Sequence, residues 1–114
     1  MARGTRVLTG TITTNTDTSV VPAGSQDERV YILWMTFTVQ TAGTTSAMRV
    51  EDGAGGDVMG RLKTETQHSM LHVNYSTGLR HFPGRLMTAL NALNVNTSGG
   101  AAATINYDIG IEVR

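Results

Sequence analysis

The chain has 114 residues, nine Lys and Arg against nine Asp and Glu, and no cysteine. That length makes one domain, and the absence of thiols excludes disulfides and thiolate metal sites. Charged residues are only 16% of the chain, and their even balance argues against nucleic acid as a partner, because phosphate binding needs a surplus of cations.

In chain order, Met1-Ala2-Arg3-Gly4-Thr5-Arg6 comes first, positive and without a core pattern. No apolar stretch follows it, so it does not read as a signal peptide. Nothing in the chain approaches the roughly 20 apolar residues that span a bilayer, so no membrane partner is expected. The expectation is a flexible arm over residues 1–6 and a folded domain over 7–114, made and kept in a cytoplasm or assembled there.

A first, weakly alternating strand is expected at about residues 6–14, then a turn and a short strand at 18–21 stopped by Pro22-Ala23-Gly24. Residues 29–40 are the most apolar part of the chain. Tyr31, Leu33, Met35, Phe37 and Val39 form one face there, and Val30, Ile32, Trp34, Thr36 and Thr38 the other. A strand apolar on both faces is either central in a covered sheet or has its second face against another subunit. Val30, Ile32 and Trp34 are therefore candidate interface residues, with the sole tryptophan as anchor.

Further strands are expected at 46–52 and 58–64, joined by a turn at Gly53-Ala54-Gly55-Gly56 whose glycines take positive φ. Residues 69–75 alternate, with Leu71, Val73 and Tyr75 inward and Met70, His72 and Asn74 outward. Residues 76–85 read as a loop. Over 86–93 the spacing of Leu86, Ala89, Leu90 and Leu93 fits a short helix as well as a strand. Strand alternation returns from Leu93 to Thr97. From Thr104 it is complete, with Ile105, Tyr107, Ile109, Ile111 and Val113 on one face and Thr104, Asn106, Asp108, Gly110, Glu112 and Arg114 on the other. This strand is expected to close the fold, leaving no appended catalytic segment. About eight strands with Gly-rich turns make an all-β protein, an antiparallel sandwich or a barrel.

No catalytic motif emerges. His68 and His72 lack the Glu that a zincin helix places after its first His. Asp52 and Asp57 flank a turn whose Ala54, Gly55 and Gly56 offer no side-chain oxygens for calcium. No serine lies in Gly-x-Ser-x-Gly, and no carboxylate pair is evident. The chain is expected not to be an enzyme and to hold neither metal nor cofactor. The most unusual loop is Arg80-His81-Phe82-Pro83-Gly84-Arg85. With Tyr75, its residues Arg80, His81, Phe82 and Arg85 could stack on and hydrogen-bond a sugar or an acidic surface. The plainer reading pins the loop by Phe82 in the core.

Several segments together carry a resemblance: Val20-Val21-Pro22-Ala23, the apolar Arg29-Val30-Tyr31-Ile32-Leu33-Trp34-Met35-Thr36-Phe37-Thr38, then Met48-Arg49-Val50-Glu51-Asp52-Gly53-Ala54-Gly55-Gly56-Asp57-Val58-Met59-Gly60 and Ala92-Leu93-Asn94-Val95-Asn96-Thr97-Ser98-Gly99-Gly100 before the Tyr107 strand. In this order of elements the chain resembles small structural proteins of tailed-bacteriophage virions that look like single jelly-roll domains. The resemblance implies a jelly-roll-like sandwich that acts as a capsid decoration (cement) protein. It also implies a homotrimer on the outer surface of the head, bound to the major capsid protein. Ala2, Arg3, Gly4, Thr5 and Arg6 are then the candidate capsid-binding arm. The alternative is a receptor- or glycan-binding module of a fibre or tail, working through Tyr75, Arg80, His81, Phe82 and Arg85.

Overall fold

The computed structural model describes residues 1–13, 15–43, 47–98 and 103–114. Among these residues there are nine strands and no helix. The strands are β1 (Gly4–Ile12), β2 (Thr18–Val21), β3 (Val30–Thr41), β4 (Ala47–Asp52), β5 (Asp57–Lys63), β6 (Met70–Asn74), β7 (Arg85–Leu86), β8 (Leu93–Ser98) and β9 (Thr104–Val113). The turn residues expected at 44–45 and 99–100, and the strand ends Thr14 and Ser46, lie outside the described residues.

One sheet is ordered β1-β9-β3-β6, with β7 pairing to β3, and the other β2-β8-β4-β5. All pairings are antiparallel. Apart from β7, every link except the β4–β5 hairpin carries the chain to the opposite sheet. The result is the double-sheet, eight-strand arrangement of a jelly roll, with a two-residue strand added.

The inner faces meet in one core that includes Ile12, Ile32, Met35, Phe37, Met48, Val50, Leu93, Val95, Ile105, Ile109 and Ile111. The strands built on alternation fold as the sequence predicts. β9 buries Ile105, Ile109, Ile111 and Val113 and exposes Asn106 and Asp108, while β8 buries Leu93, Val95 and Thr97.

Strand β3 solves its excess of apolar residues differently. Its register against β9 slips between Ile32 and Trp34. Leu33 is the extra residue of a β-bulge, and a bulge reverses which side of the sheet the following residues face. Val30 and Ile32 before it, and Met35, Phe37 and Val39 after it, therefore all point inward and are buried. The inter-sheet core takes one face of the strand, and on the other face Tyr31 is also buried, at 2% exposure, with the Arg114 guanidinium 5.5 Å from its ring. Val30 and Ile32, expected at a subunit interface, are consumed by the core of their own chain.

The spacing that fits a helix over 86–93 does not produce one. Arg85 and Leu86 pair with Ile32 and Tyr31 of β3. The Met87 N–H then donates to the Val30 carbonyl at 2.9 Å, and Leu90 sits at φ 65°, outside helical geometry. Backbone donors that a helix would need are already spent on other strands.

The arm also changes its boundary. Gly4, Thr5 and Arg6 are the first residues of β1, aligned with Val113, Glu112 and Ile111 of β9. Only residues 1–3 precede the strand. The Met1 ammonium lies 3.1 Å from Glu28 Oε2.

Candidate interaction surfaces

The register builds the outer face of the five-stranded sheet as rows crossing four strands. Thr11, Asn106, Thr38 and Met70 form one row; Thr9, Asp108, Thr36 and His72 the next; Val7, Gly110, Trp34 and Asn74 a third. Hydroxyls and amides bond along the rows. Thr11 Oγ1 donates to Asn106 Oδ1 at 2.9 Å, Asn106 Nδ2 donates to Gln40 Oε1 at 3.0 Å, and Thr36 Oγ1 lies 2.7 Å from His72 Nδ1. Asp108 is the only carboxylate in these three rows. Val7 is 54% exposed and Met70 61%. Over these three rows the face carries one carboxylate and no Lys or Arg, and the charges of the sheet gather beyond them at Glu112 and Arg114.

A hydroxyl against an imidazole invites comparison with a nucleophile–base pair. Here the row places Asp108 on the far side of Thr36 from His72. A catalytic relay needs the carboxylate behind the imidazole, where it can orient the ring.

The outer face of the second sheet is its opposite in character. Asn94 Nδ2 donates to Glu51 Oε1 at 3.0 Å and to Asp17 Oδ1 at 3.1 Å, and Asn96 Nδ2 donates to Asp17 Oδ1 at 2.7 Å. Arg49 completes the chain, with Nη2 3.2 Å from Asn96 Oδ1 and Nε 3.8 Å from Glu51 Oε2. Hydrogen bonds from Asn96 and Asn94, aided by the Arg49 charge, hold the Asp17 carboxyl below its ordinary value of 3.8.

Asp52 ends β4 at the Gly-rich turn, where Gly53 and Gly55 adopt φ of 78° and 75° as the sequence predicts. Its carboxylate turns inward and is 4% exposed. It accepts Thr88 Oγ1 at 2.7 Å, the Thr88 N–H at 3.1 Å and Asn91 Nδ2 at 3.2 Å, and Arg85 Nη2 lies 3.9 Å away. Asp52 thus fixes the loop that leads into β8. Among the described residues no three His, Asp or Glu side chains converge as a metal site would require.

The residues of the alternative ligand loop do not form one surface. Tyr75 packs against the core, its hydroxyl donates to the Met59 carbonyl at 3.1 Å, and burial pushes its pKa above 10.0. Arg85 is committed to Asp52. Arg80, His81 and Phe82 are exposed, Phe82 at 58%, so Phe82 does not pin the loop as the plainer reading expects. The loop is held instead by Tyr31, whose hydroxyl donates to the His81 carbonyl at 3.5 Å. His68 lies in the turn before β6, at φ 68°, and not on the strand with Met70 and His72. Of the three expected interface residues, Trp34 alone faces outward, half-buried beside Val7. Sequence reading missed the Thr- and Asn-rich sheet face, although the outward positions of β9 and β1 spell part of it.

No family model and no curated protein matches the sequence. Among solved structures, the chain is similar to a protein of Bacillus endospore appendages, described as disulfide-linked pili. The identity is 13% over 97% of this chain and 88% of the other, at a TM-score of 0.50, a likeness of fold alone. A chain of the cyanophage Pam1 capsid asymmetric unit matches at 17% identity over 96% and 80% of the two chains, with a TM-score of 0.49.

Proposed function

We propose that the protein is a structural subunit of a virion. On this reading it is a capsid decoration (cement) protein of a tailed bacteriophage, a homotrimer bound to the major capsid protein on the outer surface of the head. The observation that carries the reading is the sparsely charged part of the outer face of the five-stranded sheet, from the Thr11 row to the Val7 row. Covering a surface with so little charge incurs a small desolvation cost, and its apolar part gains about 25 cal/mol per Å² buried. The opposite face is charged and hydrogen-bonded within itself, which suits contact with water. A jelly roll with one face to cover and one to wet is suited to a layer. The sequence resemblance points the same way. With no cysteine in the chain, assembly rests on noncovalent burial. Many copies acting together make modest affinity at each site sufficient. Ala2 and Arg3, with Gly4, Thr5 and Arg6 on the open edge of β1, supply the capsid-binding segment.

Light scattering of the purified protein should give a trimer, and Val7→Lys with Met70→Lys should convert it to a folded monomer. The protein should co-sediment with undecorated heads and raise their survival on heating, as a ligand of the assembled state does. A monomer at high micromolar concentration that ignores heads overturns the proposal. If it instead binds host cells or their glycans, and loses that binding with Arg80→Ala and Phe82→Ala, the receptor-binding reading replaces it.

A further inference from the structure

Strand β5 lies at the end of its sheet and pairs only with β4. Its outward side chains over the last four residues are Arg61 and Lys63, two apart and both exposed. Arg61 stands directly opposite Arg49, and Lys63 opposite Ala47. Like charges facing each other across a ladder are unfavourable. Arg49 is partly neutralised by Glu51. Among the described residues, the side chains of Arg61 and Lys63 make no hydrogen bond or ion pair. In a chain of zero net charge, an unpaired cation pair beside a third cation is a local excess. A cavity of about 440 Å³ lies over this end of the β4–β5 pair, lined by Ala47, Met48, Arg49, Arg61, Leu62 and Lys63.

We infer that this edge of β5 accepts an extended acidic segment of another protein, added antiparallel or parallel as a further strand. An unpaired edge offers main-chain groups for such addition, and alternate side chains then supply selectivity. The cations act in both directions. A second copy presenting the same edge brings Arg61 and Lys63 against their own kind, which discourages self-pairing. A strand with Glu or Asp at every second position brings its carboxylates onto the face that Arg61 and Lys63 occupy. Two cations are too few to favour a nucleic-acid backbone. The inference uses the sheet opposite to the one invoked for assembly and does not depend on the virion reading.

The test uses two acetylated octapeptide amides of one composition, titrated into the isotope-labelled full chain. One alternates glutamate and threonine throughout, and the other runs Glu-Glu-Thr-Thr-Glu-Glu-Thr-Thr, so that no two of its glutamates lie two positions apart on one face. The alternating peptide should bind about 1.4-fold to fivefold tighter than the paired peptide, the worth of the one further cross-strand charge pair it can place. It should also slow amide exchange within residues 60–63. Arg61→Ala with Lys63→Ala should abolish the difference without lowering the melting temperature, because both side chains are exposed and Arg61 faces Arg49, and added salt should weaken it. Equal binding of the two peptides, shifts centred elsewhere, no binding at millimolar peptide, or tighter binding of a single-stranded oligonucleotide would overturn the inference.

Discussion

The Trp34 indole lies across Gly110 of the neighbouring strand. A methyl group at that glycine would fall 2.6 Å from Trp34 Cε2. The ring takes the place that a side chain would occupy in the row between Val7 and Asn74. Tyr107 treats Gly10 likewise on the inner face, where an added Cβ would sit 2.7 Å from its Cζ. Gly110→Ala must displace the indole, at a cost of about 1–3 kcal/mol for overpacking. Denaturation followed by the fluorescence of the sole tryptophan should show both the lower midpoint and an altered native emission. An unchanged spectrum and midpoint would mean that the ring does not rest there.

Ile109 is fully buried and faces the core opposite Met35, while Asp108 beside it faces outward. Ile109→Ala should cost about 2–5 kcal/mol through lost transfer energy and a residual cavity. In the Val7→Lys, Met70→Lys monomer, where that face is uncovered, Asp108→Ala should change stability by no more than about 0.5 kcal/mol, as at an ordinary surface position. Urea titrations of the two variants measure the contrast. Similar losses from both would contradict the strand's orientation.

Asp52→Ala removes the acceptor for Thr88 and Asn91 and strips Arg85 of its counter-charge. The expected loss is about 1–3 kcal/mol for the orphaned donors. Protease cleavage within residues 86–92 should rise in the native state, while Asp57→Ala across the hairpin should leave both readings near wild type. Resistance equal to wild type in Asp52→Ala would show that the loop is held by other contacts.

These outcomes bear on how much of the molecule can be read from its residues. β9 and β8 are legible because each has one dry and one wet face, so period two alone sets their orientation. β3 is not, since Val30 through Met35 are apolar without a break. Counting back from Thr36 puts Trp34 outside, whereas counting forward from Val30 puts Ile32 inside. Both are right, because Leu33 is a bulge between them. That conflict of phase is the available signal, and alternation alone turns it into a second buried face. Asp52 is legible as a turn residue but not as an anchor, because its partners lie 36 and 39 residues away. The arm is shorter than its sequence suggests, because β1 begins with residues that have no apolar pattern and are ordered by the ladder to β9.

Acid should remove a stabilising contribution of Asp17. Its carboxyl is held below the ordinary value of 3.8 by Asn96 and Asn94, so the folded state binds this proton more weakly than the unfolded state. The stabilisation is therefore present above the unfolded value and is lost as pH falls through the folded one. Glu28, lowered from 4.5 by the Ser25 N–H and the terminal ammonium, follows the same direction. Asp17→Asn should melt below wild type at neutral pH, and the two curves should converge as pH drops through the carboxylate range. A constant gap across that range would locate the effect of Asp17 in packing instead of charge.

Placing β9 between β1 and β3 also has a temporal side. Neither β1 nor β3 touches the other in the finished sheet, and each pairs with a strand that follows β8 in the sequence. On a ribosome the second sheet can assemble from β2, β4, β5 and β8 while β1 waits with both edges bare and β3 with one. Insertion of β9 then joins them and caps the core in a single late step. Non-local pairing of this kind is slow and leaves strand edges open to wrong partners in the interim. Arg61 and Lys63 on the open edge of β5 discourage pairing with a second copy of that edge through that interval, by like charge.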